Sequence, residues 1–248
     1  MKLLLFMSLW ILISSCSTPE VTGSTQAEVL FKEAQRLVKK NRFILATEKL
    51  NGIKSQFPYS YYATHAELLL ADILFMQQNY VESAAAYILF RDFHPKHEKL
   101  PYVIWKVALS YYKQLPSSFD RDLAPGDEAL KYLNEVISRY PNSDHFVEAK
   151  EKIDEINKMK VDKELYVADF YFKTNVFDSA RFRYLEIISK HLKNDEAKSH
   201  AMLRALESSV RLKEYKRCLE DSKKFKESAW GDLKQEVSRY ESKCQKKS

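Results

Sequence analysis

A chain of 248 residues is long enough for one or two domains. Hydrophobic residues make up 45% of it, which suffices for a packed core and argues against general disorder. Only four residues are glycine, and because hairpin turns depend on glycine, this scarcity favours helices with short connections. The formal net charge is +6, and residues 211–248 carry 12 basic against 7 acidic residues. Such a basic end suits an acidic partner surface or an anionic membrane face.

The first residues indicate export. Lys2 precedes an apolar run from Leu3 to Ile13, which is too short to span about 30 Å of hydrocarbon and is typical of a secretory signal. The run ends in Ile-Ser-Ser-Cys, which resembles a bacterial lipobox. We therefore predict a signal peptide over 1–15 and lipidation of Cys16, with an ordinary signal peptide and an incidental cysteine as the alternative.

Lipid chains on Cys16 would hold the protein on a membrane, since a single acyl chain binds only marginally but two or three bind durably. Ser17 at the next position implies sorting to the outer membrane. Residues 16–26 then form the lipidated cysteine and a flexible polar tether. The expected location is the periplasmic face of the outer membrane, with the membrane itself as a partner through the anchor.

A repeat of 37 residues runs through the first half of the chain. Pro58 and Pro95 are 37 residues apart, and Ala34, Ala71 and Ala108 follow at the same interval. Proline cannot continue a helix, so each proline marks the end of one. Small residues at fixed positions let two helices cross closely. The repeating unit is therefore a pair of amphipathic helices.

This pattern resembles the tetratricopeptide repeat, a helix-turn-helix unit with small residues in both helices. It predicts an all-α fold, an α-solenoid of about five tetratricopeptide-like helix pairs with a closing C-terminal helix. Repeats one to three occupy 27–143. A long helix from His145 to Lys173 leads into the C-terminal block of 144–248, which holds repeats four and five and the closing helix from Asp232 to Cys244.

Two further cysteines, Cys218 and Cys244, lie on the arms of a predicted helical hairpin that turns at Trp230. Antiparallel arms bring them within about one turn of each other, and an exported protein meets an oxidising compartment. Both a disulfide and two buried thiols are compatible with this arrangement.

A peptide-binding groove is predicted along the first helices of repeats one to three. Positions on these helices that the core does not need are expected to face the groove, and in the third repeat they are mainly aromatic. An extended peptide with an aromatic end would find stacking surface there, although some of these aromatics could instead fill the core. The predicted groove residues are Phe31, Gln35, Val38, His65, Leu68, Asp72, Phe75, Tyr102, Trp105, Leu109 and Tyr112.

Catalysis finds little support in the sequence. It has neither a phosphate-binding glycine loop nor a nucleophile elbow. The segment His94 to Glu98 offers two imidazoles and a carboxylate near a turn, but no further ligand completes a metal site. We therefore expect no enzymatic activity, no cofactor and no metal, and the export signal argues against a nucleic-acid partner.

Several features in order resemble the BamD family, the lipoproteins of the β-barrel assembly machinery. They are the lipobox cysteine, about five helix pairs, the motif RYPNS, a long third-repeat loop with DRD, and ELYVADFYFKTNVFDSARFRYLEII from Glu164 to Ile188. The resemblance implies that the 27–143 block receives unfolded outer-membrane proteins through a C-terminal segment that ends in an aromatic residue. It also implies that the 144–248 block docks on BamA, with Arg183 as a contact, and that other Bam lipoproteins are candidate partners.

Two alternatives stay open at this point. Arg183 could be an ordinary solvated charge on a helix surface. The protein could also be a periplasmic tetratricopeptide lipoprotein that serves as an adaptor of cell-wall or division machinery, because single repeat motifs are shared by many interaction proteins.

Overall fold

The structure is a computed structural model that describes residues 23–190 and 195–248. All of the secondary-structure elements in these ranges are α-helices, eleven in number, which form five successive pairs and a closing helix. The predicted all-α fold class of tetratricopeptide-like pairs is thereby confirmed. The described residues divide into two compact units, one that ends at Ile73 and one that begins at Leu74. No helix in the described ranges combines the length and the apolar character needed to cross a membrane. Cys16 lies outside the described residues.

The first unit contains two complete helices and most of a third. They are α1 (Gly23–Lys39), α2 (Phe43–Gln56) and α3 (Tyr61–Met76), which continues into the second unit. Its core is built largely from small side chains, with Ala34, Ala46 and Ala66 fully buried beside Leu50 and Ile53. Alanines at the crossing points allow the helices to approach closely, as the 37-residue repeat predicts.

The second unit contains the other eight helices. They are α4 (Tyr80–Phe93), α5 (Leu100–Tyr112), α6 (Ala124–Arg139), α7 (Phe146–Lys173), α8 (Phe177–Lys190), α9 (Asp195–Arg211), α10 (Tyr215–Ser228) and α11 (Gly231–Gln245). The long helix predicted from His145 begins one residue later, because His145 serves as the N-cap of α7. Ala108, Ala129, Ala168 and Ala180 are fully buried in this unit.

One turn recurs between the two helices of a pair. Asn41, Gln78, Asn175 and Lys213 all have a positive φ, between 56° and 63°. In each case the amide N of the next residue donates to a carbonyl five residues before it, as Glu214 N does to Ser209 O at 2.9 Å. This is the bonding pattern of a helix C-terminus closed by a left-handed residue, and it returns the chain sharply into the second helix.

The third pair lacks this tight turn and has a longer connection between α5 and α6. The connection is held against α7, where Lys163 Nζ donates to the carbonyl oxygen of Arg121 at 2.6 Å. Phe119 meets the Tyr166 ring edge-on with centroids 6.0 Å apart. At Gly126 a Cβ atom would lie 3.1 Å from Ile156 of α7, so the glycine permits the close approach of α6 and α7.

Candidate peptide-binding and docking sites

In the first unit the predicted groove residues divide into buried and accessible ones. Phe31 is only 8% exposed and packs edge-to-face on His65, with ring centroids 6.1 Å apart. Leu68 is 4% exposed, so both residues belong to the interior and offer almost no surface to a peptide. The remaining positions keep accessible side chains on α1 and α3. They are Gln35, Val38, His65 and Asp72.

Trp105 on α5 also differs from its predicted role. It is 3% exposed and stacks on His145, with ring centroids 5.1 Å apart and planes 8° from parallel. The apolar indole is buried because the N-terminal end of α7 covers it, which is the core-filling alternative for these aromatics. The His145 imidazole is only half-buried, so a ligand would meet this ring and not the indole of Trp105.

The other predicted residues of α3 and α5 in this unit retain partial exposure. Lys106 Nζ lies 3.5 Å from the Phe75 ring centroid and 5.8 Å from that of Tyr102. A cation over two aromatic rings forms an ordered cation–π arrangement at the surface. Leu109 is partly exposed one turn further along α5. Phe75, Tyr102 and Leu109 are therefore accessible to a ligand, and Lys106 supplies a positive charge beside them.

Tyr112 is tied to α7. Its hydroxyl donates to the Glu155 carboxylate, and Lys152 Nζ lies 4.6 Å from the centre of its ring. Burial, reinforced by the hydrogen bond to the Glu155 carboxylate, raises the pKa of the Tyr112 hydroxyl above its usual value. The residue therefore links α5 to α7, and only its partly exposed edge remains for a ligand.

A pocket of about 540 Å³ opens where α5 begins and where the RYPNS segment leads from α6 into α7. Arg139 bonds Glu135 at 2.6 Å and also lies against the Tyr140 ring, with its guanidinium carbon 5.8 Å from the ring centroid. The Ser143 hydroxyl oxygen is buried without a hydrogen-bond partner among the described residues. Cations and aromatic rings thus share one concave wall. The polar and aromatic residues that line the pocket are Glu98, Lys99, Tyr102, Arg139, Tyr140, Asn142, Ser143, Asp144 and His145.

Burial lowers the pKa of His145 below its usual value of 6.5, although Glu148 and Asp144 act in the opposite direction. At neutral pH the ring is therefore neutral and can stack on apolar groups. Of the pocket residues, the predicted groove contained only Tyr102. The signal for Arg139, Tyr140 and His145 was nevertheless present, because the same helix break that defines the repeat places them together.

The second candidate site surrounds Arg183 on α8. Its side chain is 49% exposed and forms an ion pair with Glu186 at 3.1 Å, one turn along the same helix. The neighbouring Phe182 is 60% exposed. Arg183 lines two shallow clefts, one shared with Phe182 and Tyr171 and the other with Lys163 and Val167 of α7. An exposed arginine beside an exposed aromatic is the composition of a protein-binding hot spot.

A polar network supports this surface from within. Arg181 Nη2 bonds Asp221 Oδ2 of α10 at 2.5 Å, and Arg181 Nε donates to Ser209 Oγ of α9 at 2.8 Å. Because the Arg181 and Asp221 side chains are largely buried, these bonds fix α8 against α9 and α10.

A second network lies at the end of α7. The Tyr184 hydroxyl donates to Asp169 Oδ1 at 2.5 Å, and His200 Nε2 lies 2.8 Å from the same oxygen. These hydrogen bonds counter the effect of burial, so the pKa of Asp169 falls below its usual value. Helices α7, α8 and α9 are thereby joined through one carboxylate.

Cys218 and Cys244 are joined by a disulfide, with their Cα atoms 6.1 Å apart. Both are fully buried between α10 and α11. The bridge secures the closing helix to the last repeat.

Successive helix pairs joined by a recurring turn define a tetratricopeptide-repeat protein, an α-solenoid built of stacked helical repeats. The sequence model of the YfiO family, described as an outer membrane lipoprotein, matches residues 24–224, and the chain belongs to this family.

Curated relatives carry the name outer membrane protein assembly factor BamD, which confirms the resemblance to the BamD family. The protein of Vibrio cholerae is 25% identical over 73% of this chain and 79% of its own length. That of Neisseria gonorrhoeae is 26% identical over 77% of each chain. The match to the protein of Caulobacter vibrioides is 25% identical and spans only 53% of that relative's length. Among solved structures, the TPR2AB domain of yeast Sti1 aligns with 90% of this chain at 13% identity and a TM-score of 0.49.

Proposed function

We propose that the protein is a non-enzymatic scaffold of the β-barrel assembly machinery, which binds unfolded outer-membrane proteins and docks on BamA. Family membership supports a role in outer-membrane protein assembly, since the curated relatives bear that name. The structural observation that carries the docking part is the exposed Arg183 beside Phe182, backed by the Arg181–Asp221 bond. Arg183 is the residue that the family resemblance assigns to the partner contact.

Photo-crosslinking from position 183 in intact cells tests this docking. A crosslinker at this position should capture BamA, and Arg183→Glu should abolish co-purification because it places a repelling charge on the surface. Arg239→Glu is the matched control, since Arg239 is an exposed arginine with an i, i+3 carboxylate partner on α11. Capture of peptidoglycan enzymes without BamA would favour the cell-wall adaptor instead.

The pocket between α5 and α7 supports the substrate part of the proposal. Tyr102, Tyr140 and His145 offer ring faces to an aromatic side chain, while Lys99 and Arg139 can meet a terminal carboxylate. A peptide that ends in an aromatic residue carries both groups at its end. The pocket thus fits the kind of targeting segment that the family resemblance implies.

Binding of a synthetic peptide with a C-terminal phenylalanine tests the pocket. Tyr102→Ala and Arg139→Gln should each weaken binding about tenfold, and amidation of the peptide carboxylate should remove the effect of Arg139→Gln. Tyr166→Ala, which truncates an exposed aromatic outside the pocket, should leave affinity unchanged. Equal loss in all three variants would contradict a specific pocket.

Lipidation of Cys16 is the proposed means of attachment to the outer membrane. Cys16→Ala should release the protein from membranes into high-salt and carbonate washes, or leave it as an unprocessed precursor. Persistent association of the processed variant after both washes would contradict the anchor.

A further inference from the structure

Two basic segments meet at the end of the α10–α11 hairpin that lies away from Trp230. Lys216 and Arg217 immediately precede Cys218, while Lys243 and Lys246 flank Cys244. Because the disulfide holds the two Cα atoms 6.1 Å apart, it brings both segments to the same place. Lys247 Nζ reaches across the hairpin to within 5.7 Å of the Tyr215 ring centroid.

This basic end is defined by six exposed cations. They are Lys213, Lys216, Arg217, Lys243, Lys246 and Lys247. The two segments are 213–217 and 243–247, and the only acidic residue within them, Glu214, bonds Arg217 at 2.9 Å. Six positive charges and one negative charge give a local balance of +5, against +6 for the whole chain.

The five lysines of the basic end have no carboxylate within ion-pair distance in the part of the chain that the structure describes. Their charge is therefore available to a partner. The apolar surface beneath them is small, since Tyr215 and Tyr240 are half-buried under the amines of Lys247 and Lys243.

This composition discriminates between partners. Protein-binding hot spots centre on aromatic and arginine side chains in well-packed pockets. Lysine ammonium groups are instead compact, strongly hydrated charges that attract a diffuse negative surface without specific geometry. The family is described as outer membrane lipoproteins, and the anionic headgroups of a membrane present a surface of this kind. We infer that the disulfide-stapled basic end docks electrostatically onto the anionic phospholipid headgroups of a membrane.

Vesicle binding of the full chain tests this inference. The chain should carry Cys16→Ala so that acylation does not dominate, and vesicles of phosphatidylcholine with and without about 30% phosphatidylglycerol should be compared. Parent and variant chains carry the same leader, including Lys2, so the difference between them on the anionic vesicles reports the charge of the basic end. Lys243→Gln, Lys246→Gln and Lys247→Gln combined should weaken binding to the anionic vesicles about a hundredfold, since each lysine near such a surface contributes roughly fivefold.

The matched control removes three exposed lysines near the opposite end of the same hairpin, Lys223, Lys224 and Lys234. It changes the net charge equally, so an effect below about threefold there locates the contact at the basic end. Binding by the parent chain should also fade as salt rises to about 0.5 M.

Three results would overturn the inference. Vesicle binding could weaken equally in both triple variants, or the parent chain could bind neutral and anionic vesicles alike. Inorganic phosphate could also release the chain from anionic vesicles more than chloride does at equal ionic strength. Loss of an acidic protein partner from the Lys243, Lys246 and Lys247 variant, with vesicle binding intact, would reassign the surface to that protein. Because these residues lie outside the peptide pocket and the Arg183 surface, either result leaves the proposed function standing.

Discussion

The Trp105 indole and the His145 imidazole lie face to face, with centroids 5.1 Å apart and planes 8° from parallel. The stack joins the middle of α5 to the N-cap of α7 and forms the wall between the protein interior and the candidate peptide pocket. Its strength depends on the protonation state of the imidazole, because burial disfavours the charged ring.

We therefore expect stability to fall on acidification through His145. Its pKa is lowered in the folded protein, so the unfolded chain binds the proton first as pH drops below about 6.5, its usual value. Stability from the neutral stack is fully present above that value and is lost as pH falls through the folded pKa. NMR titration of His145 checks the pKa directly. His145→Asn should reduce the fall of the melting temperature between pH 7 and pH 5, and an unchanged fall would contradict this origin.

Enlarging a buried alanine should destabilise the repeat. Ala108 is fully buried where α5 crosses its neighbours, so Ala108→Leu forces them apart and should cost about 1–3 kcal/mol. Ala85→Leu on the exposed face of α4 provides the control and should change stability by less than about 0.5 kcal/mol. Urea denaturation of both variants measures the difference, and equal midpoints would refute close helix packing at position 108.

Breaking the Arg181–Asp221 bond should be costly. Asp221→Ala leaves the largely buried guanidinium without its carboxylate and should reduce the free energy of unfolding by roughly 2–4 kcal/mol. Glu236→Gln disrupts an exposed i, i+3 pair with Arg239 and should cost less than about 1 kcal/mol. Equal melting temperatures for the two variants would show that the Arg181–Asp221 bond does not stabilise the helices that carry Arg183.

Reduction of the Cys218–Cys244 disulfide should loosen the closing helix. The bridge closes a loop of 26 residues, so its loss should cost about 3–4 kcal/mol through the entropy of the unfolded chain. Dithiothreitol should therefore lower the melting temperature of the parent protein. The double variant Cys218→Ala, Cys244→Ala should have a lower melting temperature than the parent, and dithiothreitol should not change it. A parent protein that melts alike with and without dithiothreitol would show that the bridge adds no stability.

The helix pairs were predictable because their constraint is local and repeated. Ala34 and Ala108 recur at a fixed interval because the space where two helices cross does not accommodate a larger side chain. Two of the four left-handed turns were not predictable, because Gln78 and Lys213 occupy positions where glycine or asparagine is the recognisable signal, whereas Asn41 and Asn175 carry that signal.

The candidate site was harder to predict than the fold. Helical periodicity places Tyr102 and Trp105 on one side of α5. It does not reveal that His145, 40 residues after Trp105, covers the Trp105 ring and leaves Tyr102 accessible. Which aromatic is core and which is ligand surface depends on that distant neighbour. Similarly, the predicted hairpin placed Cys218 near Cys244. Whether the two form a disulfide depends on the register of the two helices, which periodicity does not determine.

Helix α7 has a mechanical consequence. Its 28 residues extend about 42 Å, and about 36 Å separates the pocket beside His145 from the carboxylate of Asp169 that holds α8 and α9. A rigid rod of this length acts as a lever, so a tilt of about 5° at the pocket moves the far end by roughly 4 Å. We therefore expect a peptide that tilts α7 at the pocket to displace the far end of the helix, which the peptide itself does not contact.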